Sequence, residues 1–142
     1  MDGGCDGGVL LALDFLLGLN FWTVDVKCAF LQSSRILPGD KKHPRRTIVR
    51  PPLEHPDRAS GLYWVVAAAL YGQKTAPRRW RRTIGNFLIG VKFVQCIFDD
   101  CVYYRFFDDV LCIVLVYVDD ILCLSTDKVA QQVISAIADR FT

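Results

Sequence analysis

The sequence lacks a long apolar run, a paired cysteine motif and a strong net charge, and each absence excludes a class of protein. A membrane-spanning helix needs about 18 or more apolar residues, and no run in the 142-residue chain reaches that length. None of the six cysteines belongs to a C-x-x-C pair, which argues against a zinc site. His43 and His55 have no partner at metal-ligand spacing. The net charge of +2 is too small to indicate a partner.

The composition is that of one domain with a sizeable core, because 52% of the residues are hydrophobic. We expect residues 1–8, which are rich in glycine, to be disordered, and Val9 to Leu19 to form a short buried helix. Cys28, Cys112 and Cys123 lie in apolar runs, where free cysteine behaves as a small hydrophobic residue. This pattern predicts a reducing, intracellular location. A disulfide framework is the alternative, because the cysteine count is even.

The most informative stretch is Leu111 to Leu124, in which Asp119 and Asp120 interrupt a run of strand-forming residues. Burial of ionised carboxylates costs several kcal/mol unless they are paired, and no Lys or Arg is adjacent in sequence. A hairpin with the acids at its tip and a divalent cation beside them resolves the conflict. A plain turn explains the pair equally well. Asp99-Asp100 and Asp108-Asp109 are interpreted as ordinary turns.

A second candidate acid lies in the predicted strand from Phe21 to Leu31. Alternation places Asp25 on the face opposite Val24 and Val26. A single acid on a strand usually just faces solvent. If this strand lies beside the hairpin, however, three carboxylates gather at one sheet edge, as in sites that hold two Mg²⁺ ions for phosphoryl or nucleotidyl transfer.

The remaining pattern predicts an α+β fold with helices packed on one face of the strands. We expect short strands at Ile48-Val49 and from Leu62 to Leu70, separated by a loop from Leu53 to Gly61, then strands from Cys101 to Phe107 and from Val110 to Val118. We expect a helix that Thr75 caps, with Trp80, Ile84, Phe87, Leu88 and Val91 on one side, and a second helix from Asp127 to Phe141. Arg78, Arg81 and Arg82 occupy the other side of the first helix. They form either a solvated face or a clamp on nucleic-acid phosphates.

Four motifs in order resemble those of reverse transcriptases of the Ty1/copia retrotransposon branch. They are DVKCAFL from Asp25 to Leu31, LYGQKTAPRRW from Leu70 to Trp80, DDCVYY from Asp99 to Tyr104 and YVDD from Tyr117 to Asp120. The YVDD tetrad alone is weak evidence, but four motifs at plausible gaps are specific. The resemblance runs from about Val9 to the end of the sequence.

The resemblance implies a ferredoxin-like palm, an antiparallel sheet with helices on one face, that copies an RNA or DNA template from a primer and dNTPs. Carried over to this sequence, it implies that Asp25 and Asp119 bind two Mg²⁺ ions, for which Mn²⁺ can substitute. Asp120 would be the third acid, and the carbonyl of Val26 would also contact a metal. The family's nucleotide-binding positions correspond to Phe30, Tyr71, Gly72 and Lys74, and Phe30 would favour deoxynucleotides by excluding a 2′-hydroxyl. Arg78, Arg81 and Arg82 would contact nucleic acid.

The sequence departs from the family pattern in two segments. Gln73 replaces the usual leucine, and the segment from Gln32 to His55 is longer and more basic than usual. We expect residues 9–142 to be a partial palm that lacks the start of the fingers, the thumb and the RNase H portion, with the remainder of a polyprotein as partner. Whether 142 residues polymerise DNA by themselves is left open. The alternatives are a transposon relic that at most binds nucleic acid, a small α+β protein with a plain turn, and a cyclase-like nucleotidyl enzyme, which would not explain LYGQKTAPRRW.

Overall fold

The computed structural model describes residues 18–33 and 47–141, and the chain divides into two compact units. One unit comprises Met1–Lys27 and Ile84–Thr142, and the other comprises Cys28–Thr83. The predicted disordered segment, most of the predicted helix from Val9 to Leu19, and His43 lie outside the described residues.

The described elements are seven strands and three helices. The strands are β1 (Asn20–Asp25), β2 (Thr47–Val49), β3 (Trp64–Val66), β4 (Val94–Gln95), β5 (Val102–Phe107), β6 (Val110–Tyr117) and β7 (Asp120–Ser125). The helices are α1 (Pro56–Ala59), α2 (Ala76–Gly90) and α3 (Asp127–Phe141). The predicted α+β class with an antiparallel sheet is thus confirmed.

The first unit is built on a five-stranded antiparallel sheet in the order β1-β7-β6-β5-β4. β5, β6 and β7 form a meander, because only two residues separate each strand from the next. Such short connections force sequential strands to be antiparallel neighbours. β1 then pairs with β7, which brings the start of the described chain to the side of the last hairpin.

One face of this sheet carries the core. Val114 and Cys123 are cross-strand partners on that face, and both are fully buried. α3 packs on β1, β6 and β7 through residues spaced by about one helical turn. Its buried residues are Val129, Ala130, Val133, Ile137 and Phe141. Each fully buried aliphatic or aromatic side chain contributes about 1.5–3 kcal/mol, so this apolar stripe anchors the helix to the sheet.

The end of α2 packs on the same sheet face as α3. The ring of Phe87 meets Phe141 edge to face, with centroids 5.2 Å apart. Gly85 lies against the hydroxyl of Tyr103, which also accepts a hydrogen bond from Gln95 Nε2 at 3.2 Å. Tyr103 is the cross-strand partner of Val114, so α3 and the end of α2 from Ile84 cover one face of the sheet.

The second unit contains the two-stranded antiparallel sheet of β2 and β3, the short helix α1 and the first half of α2. His55 caps α1, because its Nδ1 accepts from the amide of Asp57 at 3.2 Å. Trp80 is buried in the first half of α2, as its predicted apolar face requires.

Three local predictions were wrong in detail, and one strand was missed. The segment from Leu53 to Gly61 is not all loop, because α1 lies within it. The strand predicted from Leu62 to Leu70 is confined to Trp64–Val66, where β2 supplies a partner. β4 was not predicted at all. Cys28 is exposed in a turn with a φ of 53°, rather than buried in a strand.

The burial predicted for Cys112 and Cys123 is confirmed. Cys112 and Cys123 are fully buried, and their sulfur atoms lie 3.6 Å apart without a disulfide bond. No helix in the described part of the chain combines the length and the apolar character needed to cross a membrane.

Candidate functional site

The turn between β6 and β7 consists of two residues, Val118 and Asp119, and Tyr117 and Asp120 form the last cross-strand pair before it. Two-residue hairpin turns need left-handed backbone, and Val118 has a φ of 54°. For a β-branched residue this conformation costs about 1–3 kcal/mol. The paired apolar arms of the hairpin therefore hold Asp119 at the tip of a strained turn, and the predicted hairpin is confirmed.

The register of β1 against β7 places Asp25 directly opposite Asp120. Directly opposed side chains project from the same face of the sheet, about 4.5–5.5 Å apart at Cβ. The amide of Val26 donates a hydrogen bond to the carbonyl oxygen of Asp119 at 3.0 Å. This bond extends the ladder beyond the last strand pair and fixes the turn against the end of β1. The structure thus brings Asp25, Val26, Asp119 and Asp120 to one end of the sheet, within one unit.

The carboxylates at this end of the sheet remain in contact with solvent. Asp25 and Asp120 are exposed and Asp119 is half-buried, whereas the side chain of Val26 is buried. Within the described part of the chain, none of the three acids is paired with a Lys or Arg. Like charges directly opposite on a sheet repel each other, so this arrangement carries an electrostatic cost that a bound cation would offset.

The three acids do not close into a compact ligand set. Across residues 18–33 and 47–141, the group whose ligand atoms all lie within 4.8 Å of one another is Asp99, Asp100 and Cys101. Asp99 Oδ1 accepts from the amide of Cys101 at 2.9 Å, so these residues form a turn before β5. The metal-binding roles of Asp25, Asp119 and Asp120 stay predictions.

A cavity of about 120 Å³ adjoins Asp25. It is lined by residues 24–27 of the first unit together with Ile137, Ala138 and Phe141 of α3. Small-molecule sites usually enclose about 300–1,000 Å³, so this cavity is too small to hold a nucleotide. Sequence reasoning did not single out Lys27, which follows the end of β1 and lines this cavity.

The predicted nucleotide-binding residues lie in the second unit, and the structure brings two of them into contact. The rings of Phe30 and Tyr71 have centroids 4.6 Å apart and are tilted by 48°. Phe30 is buried and Tyr71 is exposed. Gly72 has a φ of 87°, a conformation that favours glycine. Lys74 is exposed.

Arg78, Arg81 and Arg82 are all exposed on the first half of α2, opposite the buried Trp80. This is the orientation that the helical pattern predicts. It suits both a solvated face and a surface that contacts phosphates.

A comparison with known protein families gives a match over most of the chain. The profile of the family described as reverse transcriptase (RNA-dependent DNA polymerase) matches residues 8–142. No solved structure gives a significant match to the chain.

Three plant proteins are similar in sequence. The retrovirus-related Pol polyprotein from transposon TNT 1-94 of Nicotiana tabacum is 32% identical over 125 residues, which cover 84% of this chain and 8% of the polyprotein. The corresponding polyprotein from transposon RE2 of Arabidopsis thaliana is 36% identical over 52% of the chain and 5% of its own length. That from transposon RE1 of the same plant is 39% identical over 42% of the chain and 4% of its own length.

The chain therefore spans less than a tenth of the length of these relatives. The family match covers nearly all of the sequence, including the strand that ends at Asp25 and the hairpin that carries Asp119 and Asp120. The protein belongs to the reverse transcriptase (RNA-dependent DNA polymerase) family, in its copia-type retrotransposon branch.

Proposed function

We propose that this chain is the catalytic palm of an RNA-directed DNA polymerase, which transfers nucleotides from dNTPs to the 3′-hydroxyl of a primer on an RNA or DNA template. The observation that carries the proposal is the register that sets Asp25 opposite Asp120, with Asp119 bonded through its carbonyl to the amide of Val26. This pairing brings together three acids from two motifs that lie about 95 residues apart in sequence. The five-stranded antiparallel sheet with α3 and the end of α2 on one face supports a ferredoxin-like palm.

The donor set suits a hard divalent cation. Carboxylate and carbonyl oxygens are the ligands that Mg²⁺ and Mn²⁺ prefer, and no basic residue among those described neutralises the three acids. Asp25 and Asp119 would hold two Mg²⁺ ions, with lesser contributions from Asp120 and the Val26 carbonyl. When bound, such ions activate the attacking hydroxyl and neutralise charge on the phosphates.

The residues of the second unit would bind the other reactants. The buried ring of Phe30 would contact the sugar of the incoming nucleotide, and a 2′-hydroxyl would clash with it. Tyr71 and Gly72 would line the nucleotide, and the ammonium group of Lys74 would contact its phosphates. Arg78, Arg81 and Arg82 would bind template and primer phosphates without reading sequence. We propose that the chain works inside the cell as one segment of a retrotransposon polyprotein.

Primer extension by the purified chain tests the proposal. With a DNA primer on an RNA template, dNTPs and Mg²⁺ or Mn²⁺, we expect extension that falls at least about 100-fold in Asp119→Asn, because electrostatic stabilisation of that size is typical of a metal or oxyanion site. Asp109→Asn is the matched control, since Asp109 occupies the same position in the two-residue turn between β5 and β6. Equal activity in wild type and Asp119→Asn would contradict the proposal.

Metal binding gives a second readout that does not depend on polymerisation. Mn²⁺ should broaden the NMR signals of residues around Asp25 and Asp119, and Asp25→Asn should abolish the effect. A chain that neither extends primers nor binds Mn²⁺ at these residues is not a polymerase domain. The second candidate function is that of a nucleic-acid-binding relic, which the exposure of Arg78, Arg81 and Arg82 on α2 favours. Salt-dependent RNA binding that survives Asp25→Asn but is lost when these three arginines are replaced would then identify the chain as such a relic.

A further inference from the structure

The segment Leu70-Tyr71-Gly72-Gln73 forms a tight turn. The amide of Gln73 donates to the carbonyl of Leu70 at 3.2 Å, and Gly72 has a φ of 87° at the third position. These are the features of a type II turn, in which the third residue needs a positive φ. The second residue of such a turn, here Tyr71, projects from its corner.

The side chain of Gln73 closes this turn a second time. Its Oε1 accepts a hydrogen bond from the amide of Leu70 at 3.3 Å, so Leu70 is bonded to Gln73 through both of its backbone polar groups. Its Nε2 donates to Oγ1 of Thr47 at 2.9 Å. Thr47 is the first residue of β2 and lies 26 positions earlier in sequence. One amide group thus joins the turn to the sheet of the second unit.

The corner of the turn carries the aromatic pair. The ring of Tyr71 lies 4.6 Å from that of Phe30, and Tyr71 is 57% exposed whereas Phe30 is 7% exposed. An exposed ring covers a buried one only while its backbone is held in place, because aromatic pairs are worth only about 0.5–1.5 kcal/mol beyond their area. The contacts of Gln73 hold this backbone on both sides of the turn.

We propose that Gln73 is a positioning residue that keeps the ring of Tyr71 in contact with that of Phe30, and that it thereby sets how strictly the nucleotide site excludes a 2′-hydroxyl. The part of this inference that concerns the 2′-hydroxyl rests on the proposed function. It also explains the departure from the family motif: leucine at this position has neither the acceptor for Leu70 nor the donor for Thr47. The turn of this chain is therefore held by a polar link that the family's usual residue cannot make.

Three variants separate the two bonds. Gln73→Leu removes both side-chain bonds but leaves the backbone bonds of the turn. Gln73→Glu keeps an acceptor for the Leu70 amide and loses the donor to Thr47. Thr47→Val removes the hydroxyl with little change in shape and keeps a β-branched residue in the strand. Gln131→Leu, at an exposed glutamine on α3, is the matched control.

NMR tests the positioning role without any nucleotide. We expect cross-relaxation between the rings of Tyr71 and Phe30 in wild type and in Gln131→Leu, a weaker signal in Gln73→Glu and Thr47→Val, and its loss in Gln73→Leu. The decreases in melting temperature should not add, because both substitutions remove the same hydrogen bond. The Gln73→Leu/Thr47→Val double variant should be no less stable than the less stable of the two single variants. An unchanged ring signal in folded Gln73→Leu would overturn the inference.

Single-nucleotide extension with dATP and with ATP, which differ only in the 2′-hydroxyl, tests the consequence. We expect the preference of wild type for dATP, as the ratio of kcat/KM values, to fall about tenfold in Gln73→Leu, the size of effect that a loosened apolar contact gives. The loss should arise from a lower KM for ATP with little change in kcat for dATP. A wild-type chain that extends with neither nucleotide contradicts the proposed function, whereas an active Gln73→Leu with the wild-type ratio contradicts this inference alone.

Discussion

Asp108 and Val118 occupy the same position in two consecutive two-residue hairpin turns, and both have left-handed backbone, with φ of 52° and 54°. Aspartate adopts this conformation at little cost, but valine does not. The turn that presents Asp119 is therefore the more strained of the two. Strain of this kind persists where the surrounding structure enforces it, and it is common at functional sites.

Relief of this strain should stabilise the protein. Val118→Gly removes the β-branched side chain from a left-handed position, and we expect the free energy of unfolding to rise by about 1 kcal/mol, net of the added chain entropy of glycine. Asp108→Gly, the matched substitution, should change it by less than about 0.5 kcal/mol. Urea denaturation measures both. Equal effects at the two turns would show that Val118 is not strained.

The opposed acids Asp25 and Asp120 predict a stability that depends on divalent metal. In EDTA, Asp25→Asn should raise the free energy of unfolding by about 0.2–1 kcal/mol, because it removes a like-charge pair across two strands. With 10 mM Mg²⁺ the order should reverse, since metal that binds the folded state alone stabilises wild type. Asp109→Asn should behave as wild type in both buffers. A variant that is less stable than wild type in EDTA would rule out repulsion.

The buried thiol pair predicts an unusual dependence of stability on pH. A hydrogen bond from Cys123 stabilises the Cys112 thiolate and lowers the pKa of Cys112 from its ordinary value of 9.0, although burial opposes the shift. The same bond and burial raise the pKa of Cys123. The lowered pKa of Cys112 makes the folded state more stable as the pH rises towards 9.0, because the folded state has then released a proton that the unfolded state keeps. Above that pH the unfolded state releases both protons and the folded state only one.

The measurement is a comparison with a variant that lacks both thiols, Cys112→Ala combined with Cys123→Val. Relative to this variant, wild type should gain stability up to about pH 9 and then lose about 1.4 kcal/mol per pH unit. Lysines and tyrosines titrate in both proteins and cancel in the difference. A difference that does not change with pH would show that the two sulfur atoms do not share a proton.

Sequence patterns predicted the elements that are defined by residues close together in sequence. The hairpin around Asp119, the turn at Asp108-Asp109 and the helix Asp127–Phe141 have long apolar periodicities with clear breaks. β4, by contrast, is two residues long and is a strand only because β5 pairs with it. α1 has four residues, and the signals that could have revealed it are Pro56 and the capping His55.

The candidate site was predictable in its residues but not in its register. The sequence indicated that Asp25, Asp119 and Asp120 gather at one sheet edge, but the residue-by-residue pairing of β1 with β7 depends on contacts across about 95 residues that no local pattern encodes. The link from Gln73 to Thr47 is of the same kind, since it joins a turn to a strand that begins 26 residues earlier in the sequence. Gln73 could be noticed only as a departure from a family motif.

Gly85 and Gly90 give the last prediction, because the sequence treats them alike and the structure does not. Alanine at either position should favour helix formation by about 1 kcal/mol. At Gly90 an added Cβ meets nothing within 4 Å, so Gly90→Ala should raise the free energy of unfolding by up to about that amount.

At Gly85 the same atom would lie 2.5 Å from the hydroxyl of Tyr103, a side chain that is 2% exposed and cannot move aside. Gly85→Ala should therefore destabilise the protein by about 1–3 kcal/mol through overpacking, and Tyr103→Phe should rescue much of that loss in the double variant. If Gly85→Ala proves as stabilising as Gly90→Ala, the end of α2 does not pack against β5 through these two residues.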